Sequence, residues 1–477
     1  MDRRHFLLSL SNFAALSITA QTSNPGKDTA GSAQLVSINI NPERALGEIP
    51  PDFTGLGYEI SSVARPGLLS ATDHTYVQLV RTLGTRGVIR IGGNTSDYSG
   101  FSPSGEAVSS PKATLINEAN LKELGTFLDA TGWKLIWGIN LGSGTEQQAI
   151  EEAGAVDAIA KSNLLAFEIG NEPDLFSHEG HKPKGYSYED YLKEYRRYKS
   201  VVRAKLPNAP FAGPDAAVAT DWVTRFAADE GSDIKLLTHH YYRECANPAS
   251  TLDKLLYPDP KLLPLGEKLK ATTASSRVPY RICETNSFCG GGKPGVSDTF
   301  GAALWVLDFM FKLAEAGAAG VNMETGVNQL GFISSYSPIG DDEHGTYTAK
   351  PEYYGMLAFA GASQGQRVAA NYDPAGANLT AYAVLGNQKQ ITLTVINKEQ
   401  SRNADVIVTT GQRARSAHVL RLTGPSLESK EGVALGGSAV TPDGQWKPIR
   451  IEQLRTQGRD CRLHVPAASA AMITLQA

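Results

Sequence analysis

The sequence predicts an α/β protein: a (β/α)8 TIM barrel with a second, β-sandwich domain built from the C-terminal region and an N-terminal strand. Three observations carry this. From residue 54 onward, short β-branched runs alternate with amphipathic stretches of helical period, the pattern of βα units around a parallel sheet. Eight such runs precede residue 325. Beyond Ser363 the texture changes to alternating apolar and polar runs separated by Gly, Asn and Asp turns, as in antiparallel strands with one face in water.

The eight runs are Thr54–Ile60, Gly87–Gly93, Lys134–Leu141, Leu164–Glu172, Pro210–Asp215, Ile234–Tyr242, Tyr280–Glu284 and Gly320–Glu324. Helical segments lie between them, among them His74–Leu83, Asn117–Ala130, Glu146–Ala160, Tyr188–Lys205, Leu262–Lys270 and Asp298–Ala318. In the fourth of these, Tyr188, Tyr191, Leu192, Tyr195, Tyr198 and Val202 recur at three- and four-residue steps and define one buried face. Its basic residues Lys193, Arg196, Arg197, Lys199 and Arg203 read as a solvated outer face. The sandwich strands are Leu379–Val384, Gln390–Ile396, Ala404–Thr409, Ala417–Leu422, Cys461–Val465 and Ala471–Leu475, with Gln34–Ile40 adding one from before the barrel. The resulting division is 34–52 for the N-terminal strand, 53–362 for the barrel and 363–477 for the sandwich.

Residues 1–20 read as an export signal. Arg3 and Arg4 precede Phe6-Leu7-Leu8 and a short apolar stretch broken by Ser9, Ser11 and Asn12, too polar and short for a stable membrane span. The paired arginines resemble a bacterial twin-arginine signal. Residues 21–33, rich in Ser, Thr, Gly and Ala, read as a disordered leader. A net charge of -4 offers no general attraction for a polyanion, so nucleic acid is not an expected partner. Four cysteines are too few for a disulfide scaffold. A Cys245–Cys289 bridge is conceivable in an exported chain, and free buried thiols are the alternative, with no evident partner for Cys283 or Cys461.

In a TIM barrel the reactive groups collect where the strands end. The fourth run ends in Glu168-Ile169-Gly170-Asn171-Glu172-Pro173, where Glu168 can be an inward barrel-core charge and Glu172 sits at the rim, with Pro173 turning the chain away. The seventh ends in Cys283-Glu284-Thr285-Asn286. Three βα units separate Glu172 from Glu284, which places both carboxylates on one rim. Cleavage of a glycosidic bond needs two carboxyl groups, one protonated for the leaving oxygen and one ionised for the anomeric carbon. The sixth run ends in His239-His240-Tyr241-Tyr242, where alternation sends His240 and Tyr242 to one side and His239 to the other. No cofactor is expected, and no metal, since the adjacent histidines diverge and no ligand-spaced cysteines accompany them.

Asn171-Glu172-Pro173 and Glu284 resemble the acid/base and nucleophile motifs of the clan A retaining glycoside hydrolases. Glu284-Thr285-Asn286-Ser287-Phe288-Cys289-Gly290-Gly291-Gly292, continuing through Ser297-Asp298-Thr299-Phe300, resembles glycoside hydrolase family 79, the family of β-glucuronidases and heparanase. The resemblance implies Glu172 as acid/base, Glu284 as nucleophile, and Tyr242, supported by His240, as a hydrogen-bond partner of that nucleophile. Asn171 would donate to the sugar 2-hydroxyl. It further implies that Gly290, Gly291 and Tyr336 contact a uronic carboxylate, which glycine N–H groups can approach closely. Cys289 stands where heparanase has an aromatic residue. Glu59 and Asn94, with Gly93 and Thr95, sit where sugar hydroxyls would be read. The expected activity is exo-cleavage of terminal β-linked glucuronic acid from glycans or glycosides by double displacement, because scattered Lys and Arg form no basic cleft for a sulfated polymer. The alternatives are a heparanase-like endo-β-glucuronidase and a non-catalytic carbohydrate-binding protein.

Overall fold

The computed structural model describes residues 33–103, 114–326, 334–411 and 415–476. The expected export signal and all of the expected leader but Ala33 lie outside the described residues. The eight β-branched runs form eight parallel strands, Thr54–Glu59, Val88–Gly92, Lys134–Ile139, Leu164–Ile169, Ala212–Ala216, Leu236–Tyr242, Tyr280–Asn286 and Gly320–Glu324. Around the barrel the order is fourth, third, second, first, eighth, seventh, sixth, fifth. Every strand therefore pairs with its sequence neighbours, and the eighth returns to the first. The fourth and fifth close the ring through a parallel bridge at Phe167 and Phe211, where the Phe167 N–H donates to the Pro210 carbonyl at 2.9 Å.

The barrel interior is layered. One layer is apolar, with Val88, Ile136, Ala166, Ala212, Leu236 and Cys283 packed together. Toward the strands' N-terminal ends, Arg281 donates to Asn322 at 2.6 Å and to the Phe53 carbonyl at 3.1 Å. Outside the barrel, the Tyr188–Lys205 helix begins in a capping box, the Ser187 side chain accepting from the Asp190 N–H and the Asp190 side chain from the Ser187 N–H. All six apolar residues of its predicted face are buried. Lys199 departs from the solvated face assigned to it. It is buried and paired with Glu230 and Asp233, because the next helix, Thr220–Glu230, brings carboxylates against that flank.

The C-terminal strands form one eleven-stranded sheet that includes Gln34–Glu48, ten strands in a continuous path and Glu452–Leu454 pairing off it on Ser416–Thr423. The N-terminal strand lies inside the sheet, antiparallel to Gln366–Tyr372 and parallel to Ala404–Thr410. Val36, Ile38, Val395, Val406, Val419 and Ile473 share one core, so the two layers of the sandwich belong to one curled sheet. A buried polar cluster ties this sheet to the barrel. Asp308, on the Phe300–Glu315 helix, accepts from Lys398 Nζ at 2.6 Å and from the Tyr382 hydroxyl at 2.6 Å. Burial alone would raise the Asp308 pKa, but Lys398 and Lys312 hold it well below the carboxylate range.

Glu152 is a buried acid in the barrel wall. On the Glu146–Ala160 helix its carboxyl accepts from Trp137 Nε1 at 2.8 Å, and burial pushes its pKa up to about 7. Between its unfolded value and 7 the folded chain binds more protons than the unfolded one, so this group costs stability as pH rises through that window. Glu152→Gln keeps the acceptor and removes the ionisation. The variant is expected to be more stable than the parent above pH 7, by on the order of 2–3 kcal/mol, and to match it near pH 4; urea unfolding at the two pH values checks this.

Candidate active site

The barrel mouth holds a cavity of about 710 Å³. Its wall is built from the ends of strands one, four, six, seven and eight and the loops that follow these and strands two and five, and the geometry begins with how each reactive side chain is aimed. The fourth strand stops at Ile169, short of the Glu172 limit expected, because Gly170 takes φ 82° and turns the chain out of the ladder. Glu172 itself has φ 52° and ψ 49°, a left-handed conformation rare for a side-chain-bearing residue, before Pro173 opens a short 3-10 turn. Its N–H donates to the Asp215 carbonyl at 3.0 Å, which fixes this conformation.

The seventh strand carries a bulge. Its register with the sixth jumps between Ile282 and Glu284. Strict alternation would send adjacent Cys283 and Glu284 to opposite faces; with the extra residue, Cys283 packs in the interior apolar layer while Glu284 reaches the mouth. The strand also runs to Asn286, two residues past the limit expected.

Arg90, at the centre of the second strand, is fully buried beneath these groups. Its Nη1 donates to Glu284 at 2.8 Å, its Nη2 to Asp215 at 2.6 Å and to Asn171 Oδ1 at 2.8 Å, and its Nε to Glu168 at 3.2 Å. Gly92 makes room for it, since a Cβ there would lie 2.6 Å from the guanidinium carbon. His240 spans the two halves of the site, with Nε2 2.8 Å from Asp215 and Nδ1 2.8 Å from Glu172 and 3.8 Å from Glu284. The Tyr242 hydroxyl donates to Glu284 at 3.1 Å. Carboxylate oxygens of Glu172 and Glu284 and a ring nitrogen of His240 all lie within 4.8 Å of one another. Glu168, Asp215 and Cys283 form a second such cluster, but the Arg90 guanidinium already supplies a cation to its two carboxylates.

The protonation pattern follows from burial and charge. Burial raises the Glu172 carboxyl above its ordinary range, the His240 hydrogen bond and charge oppose this, and the Glu284 charge adds to it. His240 is held well above its usual value, since Asp215 and Glu284 outweigh the burial that would lower it. At neutral pH it is therefore an imidazolium donating from both nitrogens. Asp215 would be raised by burial, but Arg90 and His240 bring it down to about 2. Glu59 rises to about 7, through burial and the Glu284 charge. Glu324 rises well above the carboxylate range through burial, Glu284 and Glu59.

Nine of the ten residues singled out in the sequence line the cavity: Glu59, Asn94, Glu172, His240, Tyr242, Glu284, Gly290, Gly291 and Tyr336. Asn171 does not. It is buried beneath the wall, accepting from Arg90 and reaching Asn94 Oδ1 at 3.4 Å with its own NH2. Glu59 accepts from the Asn94 and Thr95 N–H groups at 3.1 and 2.7 Å. His239 points away toward Thr220, and burial lowers its pKa to about 4. Gly290 and Gly291 have φ of 75° and 84°, conformations that favour glycine. Cys245 and Cys289 form a disulfide that fastens this turn to the loop after the sixth strand, while Cys283 and Cys461 are free and buried. Sequence reasoning missed Arg90, Asp215 and Glu324. Each stands in or at the end of a predicted barrel strand, and an ionisable residue inside an otherwise apolar run was the available signal.

Residues 381–472 match the model of the glycosyl hydrolase family 79 C-terminal beta domain. The chain is 27% identical to a β-glucuronidase of Aspergillus niger over 98% of its own length and 99% of that protein's. The chain is a glycoside hydrolase similar to members of family 79. It is also 23% identical to Mus musculus heparanase, over 74% of this chain and 75% of that one. In fold, this glycoside hydrolase superposes on a 4-O-α-L-rhamnosyl-β-D-glucuronidase from Fusarium oxysporum 12S with a TM-score of 0.75 at 19% identity, covering 92% of this chain and all of that one. A family 51 arabinofuranosidase from Xanthomonas axonopodis pv. citri gives 0.68 at 16% identity, over 93% of this chain and all of that one.

Replacing Arg90 in this hydrolase leaves three buried carboxylates without their shared cation. Arg90→Met is expected to lose about 3–5 kcal/mol of stability at pH 8. The loss should shrink at pH 5, where the stranded carboxyls can take up protons; denaturant unfolding at both pH values measures it.

Proposed function

We propose that this chain is a retaining, exo-acting β-glucuronidase in which Glu284 is the nucleophile and Glu172 the acid/base. One observation carries the reading: two rim carboxylates with oxygens within 4.8 Å, one raised toward its neutral form and the other held by Arg90 and a tyrosine hydroxyl. That spacing suits direct attack on the anomeric carbon, with no room for a water between carboxylate and sugar. Glu284 attacks the anomeric carbon while Glu172 gives its proton to the leaving oxygen, forming a glycosyl ester with Glu284. Esterification removes the Glu284 charge, one of the causes of the raised Glu172 pKa, so Glu172 becomes a base for the incoming water. Water then opens the ester with retained configuration.

The Gly290–Gly291 turn supports a uronic acid. Its two N–H groups have no protein acceptor among the described residues, and a Cβ at Gly290 would meet nothing within 4 Å, so an anion can approach the backbone closely. Tyr336 stacks on Tyr242 at a ring separation of 6.5 Å beside this turn. The relatives named β-glucuronidase point to the same sugar. Exo action is favoured by charge, since among the described residues only Arg243, Lys261 and His240 bring cations to the cavity wall, a poor channel for a sulfated polymer. Asn171, rather than touching the sugar, positions Arg90 and Asn94. Export through the Arg3-Arg4 signal fits the Cys245–Cys289 disulfide, a bond of oxidising compartments; no helix among the described residues is long and apolar enough to cross a membrane.

An aryl β-glucuronide should be cleaved far faster than the matching aryl β-glucoside, and equal turnover of the two would overturn the carboxylate reading. Glu284→Gln should abolish hydrolysis, and Glu172→Gln should cost about 10²–10⁴ in kcat for an alkyl glucuronide, whose leaving group needs the proton. The first-formed sugar should be the β-anomer by proton NMR. Because the protonated form of Glu172 is the active one, kcat/KM should fall as pH rises through its raised pKa. His240→Gln removes the imidazolium charge that lowers that pKa, so the alkaline limb should move to higher pH.

A further inference from the structure

The cavity is larger than one sugar ring needs, and its remaining wall says what the leaving group is. If Gly290, Gly291 and Tyr336 take the carboxylate on the side of strands seven and eight, the leaving group lies across the mouth. There it is beyond Glu172, which must reach the glycosidic oxygen. The wall on that side is formed by Leu175, in the turn after the fourth strand, and by Ala217 and Val218, after the fifth. Val218 is 72% exposed. Among the described residues it belongs to a small set of large apolar side chains so exposed, and within that set it alone lines this cavity.

An exposed valine on a mobile loop would signify little, but this one is fixed. Asp174, in the turn after Glu172, accepts the backbone N–H groups of Ala217, Val218 and Ala219 at 2.8, 2.9 and 2.8 Å. One carboxylate thus fixes the apolar turn to the segment that carries Glu172. The shelf is set before any ligand arrives, so little ordering cost opposes its use. Besides Glu172, the loops after the fourth and fifth strands give the cavity one charged residue, Glu179, whose pKa burial and Glu172 raise to about 7; Arg243, Glu244 and Lys261 follow the sixth strand. Glu179 does not favour an anionic neighbour.

We propose that Leu175, Ala217 and Val218 form an aglycone site that accepts an apolar group, aliphatic or aromatic, in preference to a second sugar. The proposal rests on the glucuronidase reading and adds the substrate class: glucuronides of hydrophobic alcohols. Asp174 acts as a positioning residue for the shelf.

The test compares three substrates with the full-length enzyme: methyl β-glucuronide, cyclohexylmethyl β-glucuronide and a β-glucuronyl-galactose disaccharide. The two alkyl alcohols are similar leaving groups, so a difference between them reports contact with the ring. The cyclohexylmethyl compound is expected to exceed the methyl compound in kcat/KM by about tenfold or more, as burial of a few CH2 groups allows. Val218→Ser should cut that ratio by about fivefold, whereas Leu263→Ser, an exposed apolar residue outside the cavity, should leave the ratio intact. Equal kcat/KM for the two alkyl glucuronides, a ratio unmoved by Val218→Ser, or faster cleavage of the disaccharide would each overturn the aglycone proposal while leaving the glucuronidase reading standing. Cleavage of none of the three would overturn the glucuronidase reading, and the aglycone site with it.

Discussion

One guanidinium holds the site together. Arg90 sits on the second strand with no solvent exposure and reaches side chains from the fourth, fifth and seventh strands at once. A buried arginine is tolerable only where its nitrogens meet acceptors, and the barrel meets that condition for all three with Glu168, Asp215, Glu284 and Asn171. The converse also holds, since each of those carboxylates would be costly at that depth without the cation. The strands are therefore locked to one another by charge near the place where the chemistry is done. An apolar packing of the same volume would fill the barrel equally well but would leave Glu284 without the Arg90 hydrogen bond that fixes its orientation.

The same economy runs through the rest of the rim. Arg90 and His240 carry two positive charges, and the ionised Asp215 and the Arg90-bound Glu284 side chain face them. Burial and proximity push Glu59, Glu168 and Glu324 toward their neutral forms. Glu172 is poised between burial, which favours its proton, and the His240 imidazolium, which opposes it. A site so balanced responds strongly to the loss of one negative charge, and the proposed esterification of Glu284 would be such a loss. Around it, backbone devices hold position: the left-handed Glu172, the bulge before Glu284, the disulfide behind the glycine turn and the Asp174 cage beneath Val218.

Much of this was legible in the residues. The strand runs stood out because fully buried parallel strands are continuously apolar and β-branched, and the change at Ser363 stood out because a half-wetted sheet alternates. Glu172 and Glu284 were legible because a carboxylate ending such a run has few structural reasons to be there. Asn171 lies below the cavity lining for a reason the residues do not carry: sequence fixes that it neighbours Glu172, but the turn at Gly170 decides which of the two side chains faces the cavity. Lys199 was misread because a helix face is called exposed until the neighbour that covers it is known, and Glu230 comes from a helix later in the chain.

By itself the sequence determined the order and type of the elements and which strand ends bear carboxylates, because those depend on local periodicity and residue chemistry. Tertiary structure alone decided the partners. Arg90, Asp215 and Glu324 lie far apart in the chain, and nothing in their local surroundings says that they meet. Whether Glu284 turns inward depended on a single inserted residue in a ladder, a detail of pairing between strands. Protonation was decided there too, since a carboxyl becomes an acid or a nucleophile through the depth of its burial and the charges beside it, and both exist only once the barrel has closed.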